Sequence, residues 1–175
     1  MSRLNSLSTA AIKAMYSSET EESLIMLLTI SDPDPALTPL RLADGFTGRL
    51  EALTTDQDII YGVTSRTLDY VFIPMQITLP SEQDTGMGQC SLVIKYAAPE
   101  AIELVRTRLT KPTKVLLELV LSGSPNTVEV SFSDFYITSV TYNADQISFD
   151  LNMISFNREP FPCFNFTPGY FPGLF

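Results

Sequence analysis

The chain has 175 residues, 45% of them hydrophobic and 18% charged, with 20 acidic against 11 basic side chains and a net charge of −9. That length holds one domain, or one domain with an arm, and buries a core without disulfides or metal. The acidic balance argues against general binding to phosphate backbones, which needs clustered Lys and Arg, and the absence of histidine removes Ser-His-Asp, Cys-His and His-metal sites.

Residues 1–20 read as an N-terminal helix or arm. Helical spacing covers 7–17, with Ser8 as a cap and Ile12, Met15 and Tyr16 on one face. Leu24 to Ile30 reads as a buried strand, stopped by the prolines of Ser31-Asp-Pro-Asp-Pro35. Leu40 to Ala43 is a short strand turning at Asp44-Gly45, a favoured hairpin pair. Two strands follow, Ile59 to Val63 and Tyr70 to Leu79, the second carrying Pro74 at an edge or bulge. Residues 80–89 read as a loop and Ser91 to Tyr96 as a strand.

Residues 99–110 form the strongest helical pattern. Pro99 and Glu100 suit its first turn, Ala98, Ile102, Val105 and Leu109 form an apolar stripe, and Pro112 ends it. Period-two alternation then runs through Val115 to Leu121, Val128 to Phe132, Phe135 to Tyr142 and Ile147 to Met153, with turns at Ser122 to Asn126 and at Asn143 to Asp145. The expected fold is mainly β (α+β): an antiparallel β-sandwich or small barrel over 21–156, flanked by helix 99–110.

Residues 157–175 read as an extended C-terminal arm. The last 17 residues hold Pro160, Pro162, Pro168 and Pro172 and the aromatics Phe161, Phe164, Phe166, Tyr170, Phe171 and Phe175, and their one charged side chain is Glu159. The prolines forbid a regular ladder, and the rings need cover. The six aromatics are therefore candidate partner-binding residues, docking on their own domain or on a neighbouring subunit.

Chemistry-bearing patterns are sparse. Asp32/Asp34, Asp56/Asp58 and Glu19/Glu21/Glu22 offer carboxylate pairs, but in turn or helix-start contexts where solvated acids are ordinary. The two aspartate pairs lack the glycine and distal glutamate of a calcium loop. Gly86-Met-Gly88 is followed by no Gly-Lys-Ser/Thr. Lys95, Arg106, Arg108, Lys111 and Lys114 form the one basic group, read as a solvated helix surround or a contact for an acidic neighbour. Cys90 and Cys163 read as free thiols. No catalytic residue, cofactor or metal is expected. The longest apolar run is too short for the roughly 20 residues of a membrane-spanning helix, and the first residues resemble no signal peptide.

Several stretches taken together carry a resemblance. They are Leu24-Ile-Met-Leu-Leu-Thr-Ile-Ser-Asp-Pro33, Phe72-Ile-Pro-Met-Gln-Ile-Thr-Leu-Pro80, Val115-Leu-Leu-Glu-Leu-Val-Leu121, and above all Glu159-Pro-Phe-Pro162 with Phe166-Thr-Pro-Gly-Tyr-Phe-Pro-Gly-Leu-Phe175. The chain resembles a family of small minor tail proteins of long-tailed, siphovirus-like bacteriophages. The resemblance implies a distal tail or tail-tip protein of the virion, made in the host bacterial cytoplasm and built on the tail-tube fold. It further implies a ring of identical copies, six-fold by analogy, that joins the tail tube protein to the tip hub and lets phage DNA pass without specific binding. A tail assembly factor lost from the finished particle, a carboxylate hydrolase acting on cell wall and a small-ligand-binding β-barrel are the competing expectations.

Overall fold

The computed structural model describes residues 7–32, 37–51, 53, 59–79, 89–95, 113–143 and 146–153. Among these there is one helix, α1 (Thr9–Tyr16), and ten strands. The strands are β1 (Leu24–Ser31), β2 (Leu40–Ala43), β3 (Gly48–Arg49), β4 (Tyr61–Ser65), β5 (Leu68–Phe72), β6 (Met75–Thr78), β7 (Gln89–Ile94), β8 (Lys114–Leu121), β9 (Ser124–Tyr142) and β10 (Ile147–Met153). They form a single sheet in the order β3-β4-β5-β2-β1-β8-β9-β10-β7-β6. The fold is mainly β, as the alternation implies. The sheet is mixed, however, because β2 and β5 run parallel, and it does not close into a barrel.

Strands β1 and β8 sit at the centre because both of their faces are apolar. Leu24↔Leu121 through Ser31↔Lys114 pair antiparallel without interruption. On one face Met26, Leu28 and Ile30 join Leu42, Val115, Leu117, Leu119, Phe135, Cys90, Leu92, Ile94, Ile147, Phe149 and Leu151 in a continuous core. On the other, Ile25 and Leu27 meet Ala43, Val63, Tyr70 and Val120. The β4–β5 hairpin lies over this second face, and its tip reaches the start of β9, where the Ser65 hydroxyl donates to the Pro125 carbonyl at 2.7 Å.

Four expectations are corrected. Asp44-Gly45 makes no hairpin: β2 pairs with β1 and β5, whereas β3 pairs with β4. The single strand expected over 70–79 is two strands, β5 and β6, placed far apart in the sheet. Pro74 supplies no ladder N–H, and its carbonyl accepts from the Lys95 amide at 3.1 Å. The strands expected on either side of residue 133 are instead one 19-residue strand, β9, which absorbs its irregularity in register shifts against β8. In α1 the buried residue is Ala11, while Met15 and Tyr16 are 65% and 79% exposed. A short helix set against a sheet buries the face that fits closely, and here that is the small one. Helix 99–110, most of loop 80–89 and the arm 157–175 lie outside the described residues.

Gly62 shows how tightly β4 is set. A Cβ at this position would collide with the Tyr70 carbonyl oxygen and sit 2.7 Å from Leu50 Cδ1. Gly62→Ala is therefore expected to cost about 1–3 kcal/mol by overpacking, measured as a fall in the urea midpoint at unchanged m-value.

Candidate functional site

The outer face of β6, β7, β10 and β9 is polar. The cross-strand register places Thr78 opposite Ser91, Ser91 opposite Asp150, and Asp150 opposite Ser139, because residues two apart on each strand share a face. The Ser139 hydroxyl bonds the Asp150 carboxylate. The Thr138 hydroxyl donates to the Asp150 carbonyl at 3.0 Å and accepts from Asn152 Nδ2 at 3.2 Å. These residues line a shallow depression of about 610 Å³ whose floor includes Cys90. Burial pushes the Cys90 thiol up to about 11, so at neutral pH it carries little thiolate and little nucleophilicity.

An apolar patch lies near the other end of the sheet. Phe46 stacks tilted on Tyr61 at 5.5 Å and edge-on to Phe72 at 5.2 Å. Phe46, Tyr61 and nearby Ile59 keep about half of their surface in water. They flank β3, the two-residue strand at one end of the sheet among the described residues.

Two buried carboxylates hold the architecture together. Glu118, on β8, takes both guanidinium nitrogens of Arg66, with Nη1 at 2.9 Å and Nη2 at 2.5 Å. Arg66 and Thr67 occupy left-handed backbone at φ 51 and 67, the conformation of a two-residue hairpin turn that normally selects Asn and Gly. The fork to Glu118, together with the Arg66 amide donating to Asn126 Oδ1 at 2.6 Å, offsets that backbone cost. Glu129 is 4% exposed and accepts from the Ser8 amide at 2.7 Å and the Ser8 hydroxyl at 2.6 Å. Ser8 in turn caps α1 by accepting from the Ala11 amide at 3.1 Å. A register shift makes this contact possible: Leu119 faces Val130 while Val120 faces Val128, so Glu129 is the extra, bulged residue and turns toward the helix. The carboxylate thereby also meets the positive end of the helix dipole.

The sites expected from sequence are dispersed. Glu22 is structural: its Oε2 accepts from the Gly123 amide at 2.8 Å and the Ser122 hydroxyl at 3.1 Å. Lys95 and Lys114 are exposed. Asp34, Asp56, Asp58, Gly86, Gly88, Arg106, Arg108, Lys111, Cys163 and the aromatics Phe161, Phe164, Phe166, Tyr170, Phe171 and Phe175 lie outside the described residues. Among the described residues no three acidic or thiol groups gather to hold a metal, and no helix is long and apolar enough to cross a membrane. The chain matches no family model and no curated protein.

Sequence reasoning misses the Arg66–Glu118, Ser8–Glu129 and Ser139–Asp150 contacts alike, since each joins residues that only the assembled sheet brings together. One signal is present: Glu118 interrupts the run Val115-Leu-Leu-Glu-Leu-Val-Leu121, and a carboxylate inside an apolar strand calls for a cationic partner.

Arg66→Ala would leave the Glu118 carboxylate buried and unpaired. The guanidinium is 40% exposed, so the loss is expected to be about 1–3 kcal/mol rather than the ~3–5 kcal/mol of a fully buried pair. Arg66→Gly, which relieves the backbone, should recover only part of it. Denaturant titration of both variants measures the difference.

Asp44 provides a pH test. Desolvation raises its pKa, opposed by the Met26 and Asp44 amides; the Met26 amide donates to Oδ1 at 2.7 Å. A raised carboxyl pKa contributes stability below the ordinary value of 3.8, and that contribution is lost as pH rises through the elevated value. Asp44→Asn keeps the acceptor and cannot ionise. Its stability relative to the parent chain should increase from about pH 4 to about pH 7, and a flat difference would remove desolvation as the cause.

Proposed function

We propose that the chain is a structural subunit of a bacteriophage tail tip, a distal or minor tail protein of the tail-tube type. The observation that carries this reading is the open sheet, in which β3, the last strand on its side among the described residues, is flanked by the exposed Phe46 and Tyr61. A sheet that ends in this way is suited to continuation by a neighbour, through backbone pairing and ring contacts. Identical copies joined head-to-tail about a rotation axis form a closed ring, six-fold by analogy with tails. The Thr78, Ser91, Asp150 and Ser139 face, with the net charge of −9, suits a wall along which DNA slides, since it offers hydroxyls and a carboxylate and repels a polyanion. The tail tube protein and the tip hub are then the neighbours above and below, and the chain acts without catalysis or cofactor.

The reading is supported further by the Glu159-Pro-Phe-Pro162 to Phe175 resemblance to minor tail proteins. Mass spectrometry of purified virions is expected to detect the chain at several copies per particle, with antibody label at the distal end of the tail. Presence in assembling lysates but absence from finished particles would replace the ring subunit by an assembly factor.

A further inference from the structure

The β4–β5 hairpin is joined to the rest of the sheet at few points. Along its length it meets β2 in a short parallel ladder, Leu42↔Val71 and Ala43↔Phe72, extended by the Ile73 amide donating to the Ala43 carbonyl at 3.0 Å. By contrast, β1 and β8 pair without a break from Leu24↔Leu121 to Ser31↔Lys114. The hairpin contributes Val63 and Tyr70 to the second core, whereas no buried member of the first core belongs to β4 or β5. The first core therefore keeps all of its buried members when the hairpin is away. At the hairpin tip the contacts are polar and fall on two residues. The Ser65 hydroxyl donates to the Pro125 carbonyl at 2.7 Å, the Arg66 amide donates to Asn126 Oδ1 at 2.6 Å, and the Arg66 guanidinium donates to both oxygens of Glu118. Further back, the Thr29 hydroxyl donates to the Tyr70 hydroxyl at 3.4 Å, a long and weak bond.

The closed arrangement carries two costs. Arg66 and Thr67 hold left-handed backbone at φ 51 and 67, which two-residue hairpin turns ordinarily assign to Asn and Gly. On β2, Arg41 lies two residues from Ala43 and so on the same face, and its Nε is buried without a hydrogen-bond partner, a donor that water would satisfy. We propose that the β4–β5 hairpin is a latched flap: Arg66 on Glu118 holds it shut, and it opens as a unit of its own while β1, β2 and β6 to β10 stay folded. Once the latch parts, the left-handed turn loses the contacts that offset it, so the β4–β5 ladder loosens as the flap leaves. Strand β3 goes with it, since its pairing is with β4. Opening uncovers the edge of β2 that faces β5, together with Ile25, Leu27 and Val120, which are buried in the closed molecule. A segment with few buried apolar contacts, tied down by partly exposed polar ones, opens at a lower free energy than the whole fold. The flap is a property of the isolated chain, so its test is independent of the tail reading.

Native-state amide hydrogen exchange of the full-length chain tests it. In low urea the amides of β4 and β5 are expected to exchange faster than those of β8, β9 and β10, and with a shallower dependence on urea, because opening the flap exposes less surface than unfolding the chain. Two variants separate the flap from the whole. Ile147→Val loosens the first core, which is intact whether the flap is open or shut. It should speed exchange in β8 to β10 and leave β4 and β5 unchanged. Arg66→Ala removes the latch and should speed exchange in β4 and β5 by about ten-fold or more. If Arg66→Ala fails to fold by circular dichroism, Asn126→Ala, which removes only the acceptor of the Arg66 amide, should speed the same amides. The proposal is overturned if β4 and β5 share the urea dependence of β8 to β10 and respond equally to Ile147→Val, since the hairpin then opens only with the whole molecule. Unchanged exchange in β4 and β5 when the tip contacts are removed would overturn it equally.

Discussion

The burial of β1 and β8 on both faces is the constraint to which the other elements answer. A strand with one wet face needs only one neighbouring layer, but these two strands need two. Leu28 and Leu117 turn to one side and Leu27 and Val120 to the other, all with essentially no contact with water. The β4–β5 hairpin covers the second side, and Val63 and Tyr70 are the residues that do it. Each fully buried aliphatic side chain contributes about 1.5–3 kcal/mol, so the second layer is a substantial part of the stability rather than an ornament on a finished sheet.

A two-layered centre creates a difficulty with polar atoms, and the fold resolves it at two places. Glu118 belongs to β8 and points into the second layer, so the hairpin that covers it must bring a guanidinium. It does so from a turn whose backbone would ordinarily be left to glycine or asparagine. Glu129 is brought to the N-terminus of α1 by a bulge in β9. In both cases a local irregularity, a left-handed turn or an extra strand residue, aims a side chain that regular geometry would have sent elsewhere. The short helix follows from this: at eight residues it has little stability of its own and relies on a buried acid at its start.

Much of the strand inventory is legible in the residues themselves. Alternation delimits β8 and β10 closely, and the apolar run from Leu24 marks β1 together with its double burial. What alternation leaves open is partnership. Nothing in Leu40-Arg-Leu-Ala43 says that it lies parallel to β5, and Asp44-Gly45 has the composition of a hairpin that the sheet does not make. Pro74 illustrates the limit: its missing N–H is visible in sequence, but whether it bends one strand or separates two depends on ladders elsewhere. The interaction surfaces are less legible still. The Thr78–Ser91–Asp150–Ser139 row draws one residue from each of four strands, and the Phe46–Tyr61–Phe72 group joins a loop to two strands.

The pairing of β1 with β8 also bears on how the molecule comes to be. Leu24 meets Leu121, so the central ladder of the sheet closes only after nearly a hundred intervening residues have been synthesised. Local hairpins such as β8–β9 and β9–β10 can form early, whereas the strand on which both layers depend must wait for a distant partner. Topologies of this kind have high contact order and fold slowly, over milliseconds to seconds rather than microseconds. During that interval β1 can pair with the nearby β2, while its other edge, the one that β8 will cover, is an apolar strand edge open to pairing with the wrong molecule.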